Sequence, residues 1–195
     1  MVKSIETPRP RFTEKQPRKI SIETFLKKYR KGGPGVKYEF NKGIIEKTEA
    51  MKFKEQYIVS NLTHVFDRTP AKNAGSMLVQ ELEVWTSKDQ WRKPDLAFIT
   101  KAQIAAGANG EEPIPSFLVE AISKNDSIIQ VKNKVREYFK AGVKILWHIF
   151  PDSETVEIYR SPEDIEVCSG DKICSAEPVV EGFKLKAKDV FVKPE

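Results

Sequence analysis

Two stretches of helical period, 51–67 and 126–141, bracket three β-forming segments, and a nearly all-apolar run follows the second stretch. This order leaves few architectures open. Ile58, Leu62, Val65 and Phe66 fall on one stripe of the first stretch; Ile128, Val131, Val135, Tyr138 and Phe139 do so in the second, with Gly142 as its stop. The segments between are MLVQELEVWT (77–86), KPDLAFIT (93–100) and SFLVEAIS (116–123), with AGANGEEPIP read as a loop. VKILWHIF reads as a buried strand, and PDSETVEIYRSP as a turn and a further strand. The sequence therefore predicts an α/β domain, a central mixed β-sheet flanked by helices in the order α-β-β-β-α-β. Upstream, Ser21 caps a short helix, SIETFLKKYR, that GGPG ends, and VKYEF, NKG and IIEKTE form a hairpin. The last 35 residues read as short strands and a tail.

With 195 residues, 39% apolar and 31% charged, the chain suits one globular domain over 18–195, preceded by a basic, proline-containing flexible arm over 1–17. Such a domain buries enough surface to fold without a metal or disulfide scaffold. Cys168 and Cys174 enclose SGDKI in an expected hairpin and read as two reduced thiols. No run reaches the roughly 18 apolar residues that span a bilayer, and MVKSIETPRP lacks a signal-peptide core, so the expected compartment is the cytoplasm. The net charge of +5 invites a nucleic-acid reading. Residues 1–20 carry six basic and two acidic side chains and residues 21–33 four and one, so everything from Pro34 onward is slightly acidic. The basic signal belongs to the entry segment.

Polar groups at positions where periodicity demands apolar ones carry the chemical information, because an unpaired buried charge is too costly to keep. Glu120 shares a strand face with Leu118 and Ile122 in a segment that otherwise reads as central. Asp95 follows Pro94 at the start of a strand, and if the two segments are neighbours the two acids converge at one sheet end. Two hard oxygen ligands are what Mg²⁺ asks of a protein. On the second helix, Lys134 lies at one edge of the apolar stripe, near Tyr138, and Lys132 at the other, beyond Phe139; geometry alone does not choose. Glu55 projects between Leu62 and Phe66 on the first helix, as a site residue or as a complement to the helix dipole. His64 and His148 read as packed or surface histidines. No nucleophile elbow or glycine-rich phosphate loop is present.

Pro94-Asp95, then Glu120 in an apolar strand, then a lysine-bearing helix resembles the restriction-endonuclease-like PD-(D/E)xK nuclease superfamily, and more narrowly the bacterial Uma-two family. The resembling stretches are YEFNKGII, EQYIVSNL, RKPDLAFIT, FLVEAIS and KVREYFKAGVKILWHIFPDSETVEIYR, in the family's order. The last is the most specific. The resemblance implies a restriction-endonuclease-like core, metal-binding acids at Asp95 and Glu120, and the family's lysine at Lys134 rather than Lys132. The superfamily's usual lysine position, two residues after the acid, holds Ile122, so the amine is displaced to the following helix. Glu55 stands where the family commonly has histidine, before Gln56. Glu39 matches a tyrosine-glutamate pair but faces away from Tyr38 and Phe40, which makes it a weak candidate.

The implied function is a Mg²⁺-dependent endonuclease, with Mn²⁺ as the other candidate ion, hydrolysing phosphodiester bonds in DNA. Asp95 and Glu120, with Glu55 as a further candidate, would hold the ion, and Lys134 would orient or activate the water. A homodimer would let a small nuclease address both strands. The alternative is a catalytically inactive nuclease-fold domain that binds nucleic acid or protein, because fold does not fix function. A third reading is an interaction domain in which Glu120 and Lys134 form a buried salt bridge.

Overall fold

The structure is a computed structural model and describes residues 18–194. The arm predicted over 1–17 lies outside the described residues. Its largest element is a six-stranded sheet formed by β3 (Met77–Gln80), β6 (Leu96–Ile99), β7 (Phe117–Ala121), β8 (Ile145–Phe150), β9 (Thr155–Tyr159) and β10 (Ile165–Ser169). The spatial order is β10-β9-β8-β7-β6-β3; β7 and β8 run parallel and every other neighbouring pair is antiparallel. The one parallel pair follows from the connection, because α5 (Ile128–Ala141) carries the chain back between β7 and β8.

Alternation along the two central strands divides the core. Phe117, Val119, Ile145, Trp147 and Ile149 face a layer that contains Ile58, Leu62 and Phe66 of α2 (Gln56–Phe66) and Val190 of α6 (Ala187–Val190). Leu118 and Leu146 face the opposite side, against Val135 and Tyr138 of α5. Glu120 and His148 continue that second face, so each is buried on the α5 side where an apolar residue would be expected. Gly142, at φ 118°, takes the left-handed C-cap that ends α5.

A second sheet of four strands, in the order β2-β1-β5-β4, joins β1 (Val36–Asn41), β2 (Ile44–Glu49), β4 (Val84–Ser87) and β5 (Gln90–Arg92). Phe25 of α1 (Ile22–Lys28) packs on Phe40 and Trp91, a small core separate from the main one. As predicted, Ser21 caps α1, accepting from the Thr24 amide at 3.2 Å, and β1 and β2 form a hairpin.

The middle of the chain departs from the prediction. Residues 77–86 are not one strand: Glu81 leaves the extended region at φ 49°, so β3 joins the large sheet and β4 the small one. Likewise Pro94 separates β5 from β6. Residues 101–108, immediately before and within the expected loop, form α4 (Lys101–Ala108), whose N-terminus is closed by reciprocal Thr100 and Gln103 contacts. The first long helix begins later than periodicity suggests, with a 3-10 turn at Phe53–Glu55 preceding α2.

Between α2 and β3 lies α3 (Pro70–Asn73), and after β10 come β11 (Ile173–Ser175) and β12 (Lys184–Lys186), which pair with each other. Cys168 and Cys174 are therefore not cross-strand partners in one hairpin; both are free and buried. Phe183, Leu185 and Phe191 near the chain end are core residues rather than tail. No helix among the described residues is long and apolar enough to cross a membrane.

Candidate active site

Asp95 stands just before β6. Since Leu96 pairs with Val119, one further step of the antiparallel register brings Asp95 beside Glu120. The Ala121 amide donates to Asp95 Oδ2 at 2.8 Å and fixes the loop to the end of β7. The two acids expected to converge do so, and both are buried.

Lys134 reaches the same point from α5. Its Nζ lies 2.7 Å from Glu120 Oε1, and the Tyr138 hydroxyl, one helical turn later, donates to that same oxygen at 2.7 Å. Among the described residues no hydrogen bond falls on Glu120 Oε2. Lys132 is exposed and lines a different surface hollow. Periodicity left the two lysines equivalent; the packing of α5 separates them.

Glu39, a weak candidate from sequence, is fully buried and central to this arrangement. It accepts from Lys134 Nζ at 3.2 Å, from the Lys93 amide at 3.1 Å and from Arg92 at 3.1 Å. Alternation does turn it away from Tyr38 and Phe40, and that is the side facing the site. The buried Arg92 forks onto Glu137 of α5, at 2.9 and 2.6 Å, and also contacts Glu46. This guanidinium ties the small sheet to α5.

Lys37, which sequence reasoning missed, donates from Nζ to Asp95 Oδ1 at 2.6 Å and to the Lys93 carbonyl at 3.1 Å. A signal existed: Lys37 and Glu39 occupy alternate positions of one strand, so two charged residues share a face that proves to be buried. Tyr138 and His148 were also missed as site members, because each also reads as part of an apolar pattern.

Glu55 does not join the others. Its Oε2 accepts from the Lys52 amide at 3.2 Å, and it lines an adjacent shallow hollow with Ser123, Asn125 and Asp152. The cavity that holds Asp95, Glu120, Lys37 and Lys134 is also lined by Thr48 and His148, with about 40 Å³ open to the centres of water-sized spheres. That volume suits an ion or a few waters.

The electrostatics are those of buried charges that face one another closely. Burial works against the Glu39 charge, but Lys134 and Arg92 outweigh it and hold the carboxyl down to about 2. Burial raises Asp95, with Lys37 opposing and Glu120 adding to the rise. For Lys134, burial disfavours the ammonium, yet Glu120 and Glu39 raise it above the ordinary lysine value. Burial pushes His148 down to about 4, a shift that Lys134 reinforces and Glu120 opposes. Three cations face five carboxylates: Lys37 answers Asp95 and Lys134 answers Glu120, so the excess of two negative charges falls around Arg92, which faces Glu39, Glu46 and Glu137.

The hard oxygens of Asp95 and Glu120, with Glu120 Oε2 accepting no hydrogen bond among the described residues, fit a divalent cation. Among the described residues no three histidine, cysteine, aspartate or glutamate side chains converge closely enough to enclose an ion. The fit is therefore to a metal such as Mg²⁺ that takes one or two carboxylates and leaves its other positions to water and phosphate oxygens.

A family model described as "Putative restriction endonuclease", Uma2, matches residues 22–188. This chain belongs to the Uma2 family. The matched span includes every residue of the cavity and both sheets. The chain is also similar to a solved structure described as a "putative nuclease belonging to DUF820" from Anabaena variabilis ATCC 29413. That likeness has a TM-score of 0.73 and 24% identity, and covers 88% of this chain and 97% of that one. It bears out the restriction-endonuclease-like fold expected from sequence. No curated protein matches the chain. Uma2 membership supports a nuclease-like function.

Proposed function

We propose that the chain is a divalent-metal-dependent endonuclease that hydrolyses phosphodiester bonds in DNA, with Mg²⁺ or Mn²⁺ as its ion. The observation that carries this reading is the meeting of Asp95, Glu120 and Lys134 in one cavity. Asp95 and Glu120 would hold the cation. When bound, it supplies polarisation of the phosphoryl group and makes water more acidic.

The chain's own residues do the rest. Lys134 stays protonated between Glu120 and Glu39, so its remaining N–H can orient water and offset charge developing on the phosphoryl oxygens. Tyr138 fixes the Glu120 carboxylate by donating to Oε1. Arg92, itself anchored on Glu137, holds Glu39, and through it Lys134, in place. The DNA backbone would approach from outside and present a phosphate at the mouth of the cavity.

The test is nicking of supercoiled plasmid with Mg²⁺ or Mn²⁺ by the wild-type chain and by D95N, E120Q and K134A. Metal-dependent nicking lost in the variants supports the assignment. One observation favours the catalytically inactive alternative: each of the two acids already carries a lysine partner. DNA retention without nicking, at any concentration of either ion, would decide for it.

A further inference from the structure

Among the described residues three buried side-chain polar atoms lack a hydrogen-bond partner: Thr48 Oγ1, Trp147 Nε1 and His148 Nδ1. Two of the three, on Thr48 and His148, belong to the cavity of Asp95 and Glu120. Buried polar groups are rarely left unpaired, and those that are commonly hold ordered water. The two atoms come from opposite walls, Thr48 from the small sheet and His148 from the large one.

His148 is the better placed of the two. It is 1% exposed and sits directly opposite Glu120 in the parallel register of β7 and β8. Its ring is fixed by Tyr159, with centroids 4.8 Å apart, and by the edge of Phe150 at 6.4 Å. A ring packed in this way cannot turn Nδ1 toward another partner without disturbing two aromatic contacts. The cavity is several times the 10–15 Å³ or so that one water requires. Water pairs with either tautomer of a neutral imidazole.

We propose that His148 Nδ1 holds an ordered water beside Glu120, and that this is the water that attacks the phosphodiester. The inference rests on the nuclease reading and deepens it. Lys134 spends two contacts on Glu120 and Glu39, so one amine alone fixes the attacking oxygen loosely; the imidazole supplies a second, rigid contact. In the reaction the water oxygen bonds to phosphorus and one P–O ester bond breaks. One water hydrogen goes to the departing alcohol, and the other stays on the new terminal phosphate or passes to solvent. His148 is a hydrogen-bond partner of the reacting water throughout, with no net change in its protonation.

Three variants of the full chain test this: H148F, which keeps the ring shape, H148N, which restores a polar atom near the Nδ1 position, and T48V. The expected result for H148F is a fall in kcat of tenfold or more with KM within threefold, and for H148N recovery of most of that loss. Mn²⁺ affinity, read by electron paramagnetic resonance titration, should stay within threefold in both. T48V, on the far wall, should fall by less than H148F. Wild-type rates in H148F, or no recovery in a folded H148N, would overturn the proposal, as would a loss of Mn²⁺ affinity above tenfold, which would make His148 a metal ligand instead.

A crystal structure of the wild-type chain gives the independent readout, with an ordered water within hydrogen-bond distance of Nδ1 expected and its absence overturning the inference. If the wild type fails to nick plasmid with either ion, the nuclease reading fails, and the crystal alone decides the water site.

Discussion

Lys37 of β1 and Asp95, at the entry to β6, meet side chain to side chain at 2.6 Å with both nearly excluded from solvent. The ammonium neutralises one of the two acids assigned to the metal, so ion and lysine compete for Asp95. A like charge within about 5 Å, at an effective dielectric near 20, costs on the order of 3 kcal/mol. K37M should therefore bind Mn²⁺ about tenfold more tightly or better at pH 8, where the freed and buried Asp95 can still ionise. Isothermal titration calorimetry decides; equal or weaker binding would mean that Lys37 organises Asp95 rather than competing for it.

Lys134 and Asp95 should separate turnover from metal binding. K134A is expected to lower the nicking rate by at least a hundredfold while changing Mn²⁺ affinity little, whereas D95N should reduce both. Glu55, outside the cavity, serves as the contrast: E55Q should nick within threefold of wild type. A K134A chain that nicks normally would remove the lysine from the mechanism.

Arg92 has a structural test. It is 1% exposed and answers Glu39, Glu46 and Glu137, so R92M leaves Glu46 and Glu137 without a cation, while Glu39 keeps Lys134. Breaking a buried ion pair from one side costs about 3–5 kcal/mol, which should lower the urea midpoint by roughly 1 M or more. A midpoint unchanged within error would show that the carboxylates find water or take up protons at little cost.

His148 gives the metal-free protein a pH signature. Its folded value of about 4 lies below the ordinary 6.5, chiefly through burial, with Lys134 adding to the fall and Glu120 opposing it. Below pH 6.5 the unfolded chain takes up a proton that the folded chain refuses. Stability should drop as pH falls from 6.5 toward 4, by about 3 kcal/mol for this group, and then level off. Glu39, held at about 2, adds a separate loss between pH 4.5 and 2. Urea titrations across this range check the slope, which H148F should flatten above pH 4.5.

Much of the fold is legible because alternation and helical period report burial directly. Glu120 stands out for that reason, as a carboxylate inside FLVEA, and Lys134 emerges from the family pattern where periodicity is neutral. What escaped depends on tertiary placement. Nothing local shows that 77–86 is divided between two sheets, since the break rests on the backbone of Glu81, a residue with no turn signature. The capped helix at Lys101–Ala108 is short and lacks a buried stripe, so its period carries no message. Lys37, Glu39 and Arg92 look like residues of a wet strand face. Only the docking of α5 over that face buries them.

The division at Glu81 also bears on when the pocket exists during the life of a chain. Asp95, at the entry to β6, and Glu120 stand with the larger sheet, whereas Lys37, Glu39 and Arg92 arrive with the smaller one. A molecule whose smaller sheet has come away keeps its pair of acids but loses the groups that set their charge and the grip on Lys134. In such a half-assembled molecule the pocket does not exist, so whatever chemistry it supports waits on the docking of the two sheets.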